Sequence, residues 1–399
     1  MPLGCRNKLY SVVWELTLKC NARCVHCGSS AGKDRSDNLT FEQACSIVHQ
    51  LAEANCYEIN LIGGEYFLYP KWRELIQEFR KTPIKVKIVT NGLLLSDKVL
   101  DFLKENDIKT IGISIDGASA DTHDSIRRVP GCFDHALSAV KRSFEHRVPI
   151  TVITTVNRLN ICDLKQMRTL LMSQRVHSWQ MQHTNLLGNM QEEYALDNLG
   201  YYIVGIFCAQ TKRLYPKEKL KLSAIHCMGY YSKTIPQHTS SRFWMGCPAG
   251  KGVLGIRSNG DVVGCLSIYD DAYIEGSLKD KALKELMGQK DFCSWNNRLE
   301  RYKSLTGFCK GCPFGLACLG GCTSFEQNQK HCYYAIEQKM KKTTPKTEKD
   351  KILKAMTMGH MDKSGRFFLK GGQEITAEWI KNLSVSDECK RQLSILVID

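Results

Sequence analysis

The chain has 399 residues, of which 43% are hydrophobic, and 55 lysines and arginines face 41 aspartates and glutamates, giving a formal net charge of +14. This length excludes a disulfide-stapled miniprotein and is enough for one large core with smaller units attached. No apolar run reaches the roughly 18 residues of a membrane span, and the N-terminus has no signal-peptide pattern, so we expect a cytoplasmic protein with no membrane partner.

The first half of the chain alternates strand-like and helix-like segments. Strands are predicted at 10–17, 58–65, 85–91, 110–117, 149–157 and 178–184. Helices are predicted at 41–55, 71–82, 97–106, 133–147 and 163–175, the first with a capping box formed by Thr40 and Gln43. Such alternation predicts an α/β fold with a parallel sheet. Six strands are too few for a closed eight-stranded barrel, so we predict a partial (β/α)6 TIM-like barrel with its site at the carboxyl ends of the strands.

Three cysteines, Cys20, Cys24 and Cys27, follow the first strand within WELTLKCNARCVHCGSS. Clustered cysteines in a reducing compartment favour metal ligation over disulfides. Three thiolates bound to a four-iron cubane leave one iron open to a small molecule. Zinc is the alternative, but structural zinc sites usually fill all four positions from two cysteine pairs. We therefore predict an iron–sulfur site with room for a ligand.

The spacing in CNARCVHC resembles the CxxxCxxC signature of the radical S-adenosylmethionine (SAM) enzymes, with His26 where that family usually has an aromatic residue. The resemblance implies a TIM-like barrel and a 4Fe-4S cluster that binds SAM. It also implies that Cys20, Cys24 and Cys27 are catalytic as well as metal ligands.

Further motifs that resemble this family stand at successive strand ends. Gly63, Gly64 and Glu65 resemble the motif that hydrogen-bonds the amino group of SAM, although Tyr66 replaces the usual proline. By the same resemblance, Asn91 of TNG and Ser114 and Asp116 of SIDG belong to the SAM site, with the serine and the acid at the ribose. Arg127 would meet the carboxylate of SAM, and Leu186 would lie near the adenine.

A second cysteine set begins at Cys247 and contains the patterns C-x12-G-x4-C and C-x2-C-x5-C-x3-C-x9-C. It resembles the seven-cysteine motif of the SPASM domain, which carries auxiliary iron–sulfur clusters. The resemblance assigns an outer cluster to Cys309, Cys312, Cys318 and Cys332, and an inner cluster to Cys247, Cys265 and Cys322. It thus implies three 4Fe-4S clusters in total.

Seven cysteines are one short of the eight ligands that two cubanes need. Either another cysteine closes the inner cluster, with Cys227 as the first candidate and Cys293 as the second, or that iron is open as well. We divide the chain at this stage into a barrel (1–235), a SPASM domain (236–338) and a lysine-rich linker with a C-terminal tail (339–399). For the tail, capture of an acidic peptide leader and a solvated appendage both remain open.

The resemblance extends to the peptide maturases of this family, enzymes that modify ribosomally made and post-translationally modified peptides (RiPPs). We expect an oxidoreductase that abstracts hydrogen from a precursor peptide and installs a thioether or C–C cross-link. Sulfatase-maturase-like activity, peptide epimerisation and a non-enzymatic iron–sulfur or zinc protein are the alternatives. The expected partners are the precursor, an electron donor such as flavodoxin or ferredoxin, and a separate leader-binding protein; nucleic acid is not expected.

Overall fold

A ten-stranded sheet organises the molecule in a computed structural model that describes residues 9–225, 228–236, 244–324 and 332–398. The sheet strands are β1 Ser11–Glu15, β2 Glu58–Ile62, β3 Lys85–Thr90, β4 Thr110–Ser114, β5 Ile150–Val156, β6 Ser178–His183, β7 Lys221–Ala224, β8 Val253–Ile256, β9 Asp261–Val263 and β10 Ile274–Ser277. Their order is β10-β9-β8-β1-β2-β3-β4-β5-β6-β7. Strands β8 and β1 to β7 run parallel, whereas β9 and β10 are antiparallel additions.

Helices connect these strands and cover the sheet. The helices are α1 Phe41–Glu53, α2 Trp72–Arg80, α3 Asp97–Glu105, α4 Ala120–Arg127, α5 Cys132–Glu145, α6 Leu164–Ser173, α7 Asn198–Leu214, α8 Leu283–Gly288, α9 Arg298–Lys303, α10 Gly307–Lys310, α11 Gly315–Cys318, α12 Tyr333–Lys342, α13 Glu348–Met356, α14 Ala377–Lys381 and α15 Asp387–Ser394. Across the described part of the chain, none of them is long and apolar enough to cross a membrane.

The predicted partial barrel is confirmed: all six strands and all five helices form, and Thr40 and Gln43 make the predicted capping box. Helix α7 was not predicted, because it is buried on nearly all sides and therefore lacks the polar stripe that marks a surface helix. Two further parallel strands, β7 and β8, extend the sheet beyond the six expected. Among the described residues β7 and β10 are its edges, so the barrel is open as predicted.

The sheet is continuous between the barrel and the predicted SPASM region. Strand β8, which follows Cys247, pairs in parallel with β1 from Ser11↔Val253 to Trp14↔Ile256. Because β1 leads directly into the three-cysteine loop, both cysteine regions are anchored to neighbouring strands.

The C-terminal segment packs on the barrel, so the interpretation of residues 339–399 as a solvated appendage is wrong. Helices α13 and α15 pack against α7, and the short strands β11 (His360–Met361) and β12 (Phe367–Phe368) form a hairpin between them. The buried Gln210 side chain on α7 donates to the carbonyls of Gly365 (2.9 Å) and Leu396 (3.1 Å). The stretch FFLKGGQEITAEWIKNL contains β12 at its start and α14 near its end.

We predict that Leu393→Ala destabilises the whole protein, because this side chain is fully buried in the same core as the barrel. The expected loss is about 2–5 kcal/mol of unfolding free energy, measured by urea unfolding. Lys363→Ala, at an exposed position in the same segment, is the control and should have little effect. Equal stability of both variants would show that the segment folds independently of the barrel.

Candidate active site between two cysteine regions

In the loop after β1, backbone amides donate hydrogen bonds to the sulfur atoms of two of the three cysteines. The amide of Ala22 donates to Sγ of Cys20, and the amide of Ala31 donates to Sγ of Cys27, both at 3.4 Å. Val25 bonds through its amide to the carbonyl of Ile126 at 2.9 Å, which ties the loop to α4. Burial raises the pKa of the Cys20 thiol to about 11, and the Ala22 amide offsets part of that rise because amide donors stabilise thiolate charge.

The double glycine after β2 allows that loop to approach closely. A Cβ atom on Gly63 would lie 2.5 Å from the carbonyl oxygen of Thr17, and one on Gly64 would lie 2.3 Å from that of Lys19. The loop is held there because Gly64 donates its amide to Thr17 (2.7 Å) and Glu65 donates to Lys19 (2.8 Å). Any larger residue would push the loop away.

The Glu65 side chain links the loop after β2 to the end of β3. Its buried carboxylate accepts from Thr90 Oγ1 (2.7 Å) and from the amide of Asn91 (2.8 Å), and burial raises its pKa. The Asn91 side chain in turn donates to Asn21 in the cysteine loop at 2.7 Å. The ends of β1, β2 and β3 are thus joined by hydrogen bonds.

A buried ion cluster supports the loop from the side of β4. Asp116 is fully buried; its Oδ2 lies 2.6 Å from Arg127 Nη2 and 3.4 Å from His26 Nε2. Arg127 also donates to Sγ of Cys24 at 3.7 Å. Burial by itself would raise the pKa of Asp116, but Arg127 and His26 outweigh it and hold the pKa below its ordinary value. Burial lowers the pKa of His26 to about 4, so this imidazole is neutral near pH 7.

A cavity of about 460 Å³ opens in front of these elements. Most of the predicted SAM-site residues line it: Cys20, Cys24, Cys27, Gly63, Gly64, Asn91, Ser114 and Arg127. Glu65 and Asp116 stand behind its wall, where they hold Asn91 and Arg127 respectively. Leu186 is 58% exposed and lines a neighbouring cavity of about 530 Å³ instead.

The predicted inner-cluster cysteines meet on the opposite side. The thiol of Cys322 hydrogen-bonds to Cys247, and Cys265 interacts electrostatically with both. Cys265 and Cys322 also line the 460 Å³ cavity. One cavity therefore contacts the three-cysteine loop on one wall and two cysteines of the second set on another.

The predicted outer-cluster cysteines form a separate group. Cys318 and Cys332 each interact electrostatically with Cys309 and Cys312. Aromatic rings surround this group, with Phe314 stacked on Tyr231 at 4.2 Å between centroids. The structure thus divides the seven cysteines into the same two groups that the resemblance implies, and four clustered thiols match the ligand set of a cubane. Their role as ligands remains a prediction.

The eighth ligand is still open. Cys227, the first candidate, lies outside the described residues. Cys293 is buried, interacts electrostatically with Cys247 and hydrogen-bonds through its thiol to Glu275. Cys293 is therefore placed beside the inner group, and its ligation remains a proposal.

Further residues line both cavities. His183 ends β6 and borders both cavities, as do Asn185 and Tyr269. The hydroxyls of Tyr269 and Ser29 lie 2.8 Å apart and join the SPASM region to the cysteine loop. Position at the end of β6 was an available signal for His183, whereas Tyr269 reaches the site only through the pairing of β8 with β1.

Comparisons with known proteins agree with this geometry. Residues 14–171 match the family model of the radical SAM superfamily, and residues 247–313 match that of SPASM, an iron-sulfur cluster-binding domain. An AdoMet-dependent heme synthase of Methanosarcina barkeri is 24% identical, over 77% of this chain and 90% of its own length. The mycofactocin maturase MftC of Mycobacterium tuberculosis is 32% identical, over 40% of this chain and 41% of its own length.

Among solved structures, Streptococcus suis SuiB bound to the precursor peptide SuiA superposes with a TM-score of 0.65. The match covers 80% of this chain and 72% of SuiB at 14% identity, so it shows a shared fold.

Gly64→Ala should impair the three-cysteine site, because the new methyl group would overlap the carbonyl of Lys19 and displace the loop. The expected result is the loss of about four irons, one cubane, after anaerobic reconstitution. Gly288→Ala is the matched control, since nothing lies within 4 Å of its Cβ position. Full iron content in the Gly64 variant would contradict the steric argument.

Asp116→Asn should destabilise the fold, because it leaves the Arg127 guanidinium, whose side chain is only 11% exposed, without its counter-charge. Removing one partner of a buried pair typically costs about 3–5 kcal/mol, to be measured as unfolding free energy. Asp121→Asn, on the exposed surface of α4, provides the comparison and should be near neutral. A similar small effect for both would mean that another group compensates Arg127.

Proposed function

We propose that this chain, a radical SAM enzyme with a SPASM iron–sulfur domain, is a peptide maturase that abstracts hydrogen from a ribosomally made precursor and installs a thioether or C–C cross-link. The observation that carries the proposal is the 460 Å³ cavity, bordered by Cys20, Cys24 and Cys27 and also by Cys265 and Cys322. A substrate radical formed there would lie beside a group able to accept its electron, as net oxidative cross-linking needs.

Each part of the site has a separate task in this proposal. Cys20, Cys24 and Cys27 would hold the first cluster, and this cluster together with SAM would supply the radical chemistry that abstracts hydrogen. Gly63, Gly64, Asn91, Ser114 and Arg127 bind SAM along the cavity wall. Glu65 and Asp116 act from behind the wall by fixing the positions of Asn91 and Arg127.

Two relatives support a peptide as the substrate. MftC is a maturase, and SuiB was solved with a precursor peptide. The cavity also suits a chain segment, because it adjoins a second cavity of about 530 Å³ through shared residues that include His183, Asn185 and Tyr269. A bound peptide would thus place one side chain in the first cavity and its backbone in the second.

A heme precursor is the second candidate substrate. The M. barkeri heme synthase matches this chain over 90% of its own length, whereas the match to MftC covers 41% of that maturase. Mass spectrometry separates the candidates. A precursor peptide whose gene lies beside the gene for this protein should lose the mass of two hydrogens when it is cross-linked. Its mass should not change when it is epimerised. Conversion of a heme precursor with the peptide left unchanged would overturn the proposal.

Reconstituted enzyme should hold about twelve irons, from three four-iron clusters. Replacing Cys20, Cys24 and Cys27 together with Ala should lower this to about eight and abolish cleavage of SAM. Replacing Cys309 and Cys312 with Ala should spare SAM cleavage driven by a small chemical reductant in the absence of substrate, but should stop product formation. Iron near four in the unaltered enzyme, or stoichiometric zinc, would contradict the three-cluster arrangement.

A further inference from the structure

An apolar patch lies on the surface beside the predicted outer cluster. We define the outer patch as Met245, Leu299, Tyr302 and Leu316, whose exposed fractions are 60%, 58%, 43% and 62%. These are four of the ten large hydrophobic residues found exposed among the described residues, and all four belong to the SPASM region. Single exposed apolar residues are ordinary, but contiguous patches mark interaction sites.

Hydrogen bonds and packing show that the patch is contiguous. The guanidinium of Arg298 donates to the carbonyl of Met245 at 3.1 Å and to that of Leu316 at 2.6 Å, so it holds these two segments side by side. Leu299 and Tyr302 are three residues apart on α9 and share a face of that helix. The Tyr302 ring comes within 4.0 Å of the Cβ position of Gly315, next to Leu316.

The patch adjoins the outer cysteine group. The Cβ position of Gly315 is 3.0 Å from the carbonyl oxygen of Cys309, so Tyr302 and Cys309 converge on the same glycine. Cys309 and Cys312 are only partly buried, whereas Cys318 of the same group is buried. A cluster held by these thiols would approach solvent at the patch.

The charge around the patch is positive. From Arg298 to Cys318 the chain has four basic residues, Arg298, Arg301, Lys303 and Lys310, against one acid, Glu300. Glu300 is paired with Lys303 at 3.0 Å. An apolar centre with a basic rim complements an acidic partner, and such charge raises the rate of encounter.

We propose that the outer patch docks an acidic one-electron carrier protein that exchanges electrons with the outer cluster. The inference rests on the proposed function only in taking Cys309, Cys312, Cys318 and Cys332 as cluster ligands. Electron-transfer complexes have small, transient interfaces, and an apolar centre of four residues suits such an interface. An acidic precursor leader is the other conceivable occupant, but the proximity of the outer cysteines favours a redox partner.

The test compares protein and chemical reductants. SAM cleavage by the reconstituted enzyme is driven either by an acidic ferredoxin kept reduced by its NADPH-dependent reductase, or by titanium(III) citrate. Leu299→Asp should raise the dissociation constant of ferredoxin, measured by isothermal titration calorimetry, and its half-saturating concentration by about tenfold, and should leave the titanium-driven rate unchanged. Leu159→Asp, which alters a 40% exposed leucine of the barrel, is the matched control and should change neither.

A second variant keeps the test decisive. Lys303→Glu lies on the rim, away from the cysteines, and should weaken ferredoxin use mainly at low ionic strength, because its effect is screened by salt. Unchanged ferredoxin dependence in both variants overturns the proposal, and so does an equal loss with both reductants or failure of ferredoxin to reduce the unaltered enzyme. Reduced precursor affinity with normal ferredoxin use would also overturn it, by assigning the patch to the peptide.

Failure of the maturase proposal can be distinguished from failure of the docking proposal. If ferredoxin drives SAM cleavage through the patch but no peptide product forms, docking is supported and the maturase proposal is rejected.

Discussion

The close crossing of the cysteine loop over Gly63 and Gly64 is the contact on which the site depends. The loop has no regular secondary structure beyond short turns, so its shape comes from what it rests on. The backbone amides of Gly64 and Glu65 donate to the carbonyls of Thr17 and Lys19, and the Glu65 side chain extends that support to Thr90 and Asn91. The positions of the thiols are therefore fixed by the loops at the carboxyl ends of β1, β2 and β3.

The buried ion cluster around Asp116 performs the same task from the other side. An acid at the end of β4 was expected at the ribose of SAM, but the structure turns its carboxylate toward Arg127 and His26. A buried carboxylate requires compensation, and a guanidinium that also contacts Cys24 provides it. His26, the departure from the family's aromatic residue, thereby acquires a polar partner suited to an imidazole.

Much of the barrel was predictable because its elements have short-range signatures. Alternation of apolar residues marked β1 to β6, and the Thr40 capping box marked α1. The division of the seven SPASM cysteines into two groups was implied by the family resemblance. Other features depend on distant pairing: the joining of β8 to β1, which brings Tyr269 to Ser29, leaves no local pattern. The lysine run 339–354 was ambiguous for the opposite reason, since its charge hid Ile352 and Leu353, which pack in the core.

The dependence of α7 on the C-terminal segment has a consequence for synthesis on the ribosome. The Gln210 side chain donates to the carbonyls of Gly365 and Leu396. Helices α13 and α15 of the C-terminal segment pack against α7. At translation rates of about 5–20 residues per second, α7 leaves the ribosome roughly 10–40 seconds before those partners do. During that interval the face of this largely apolar helix that the C-terminal segment will cover stays exposed, which makes the nascent chain a natural client for holding chaperones and places completion of the fold after translation.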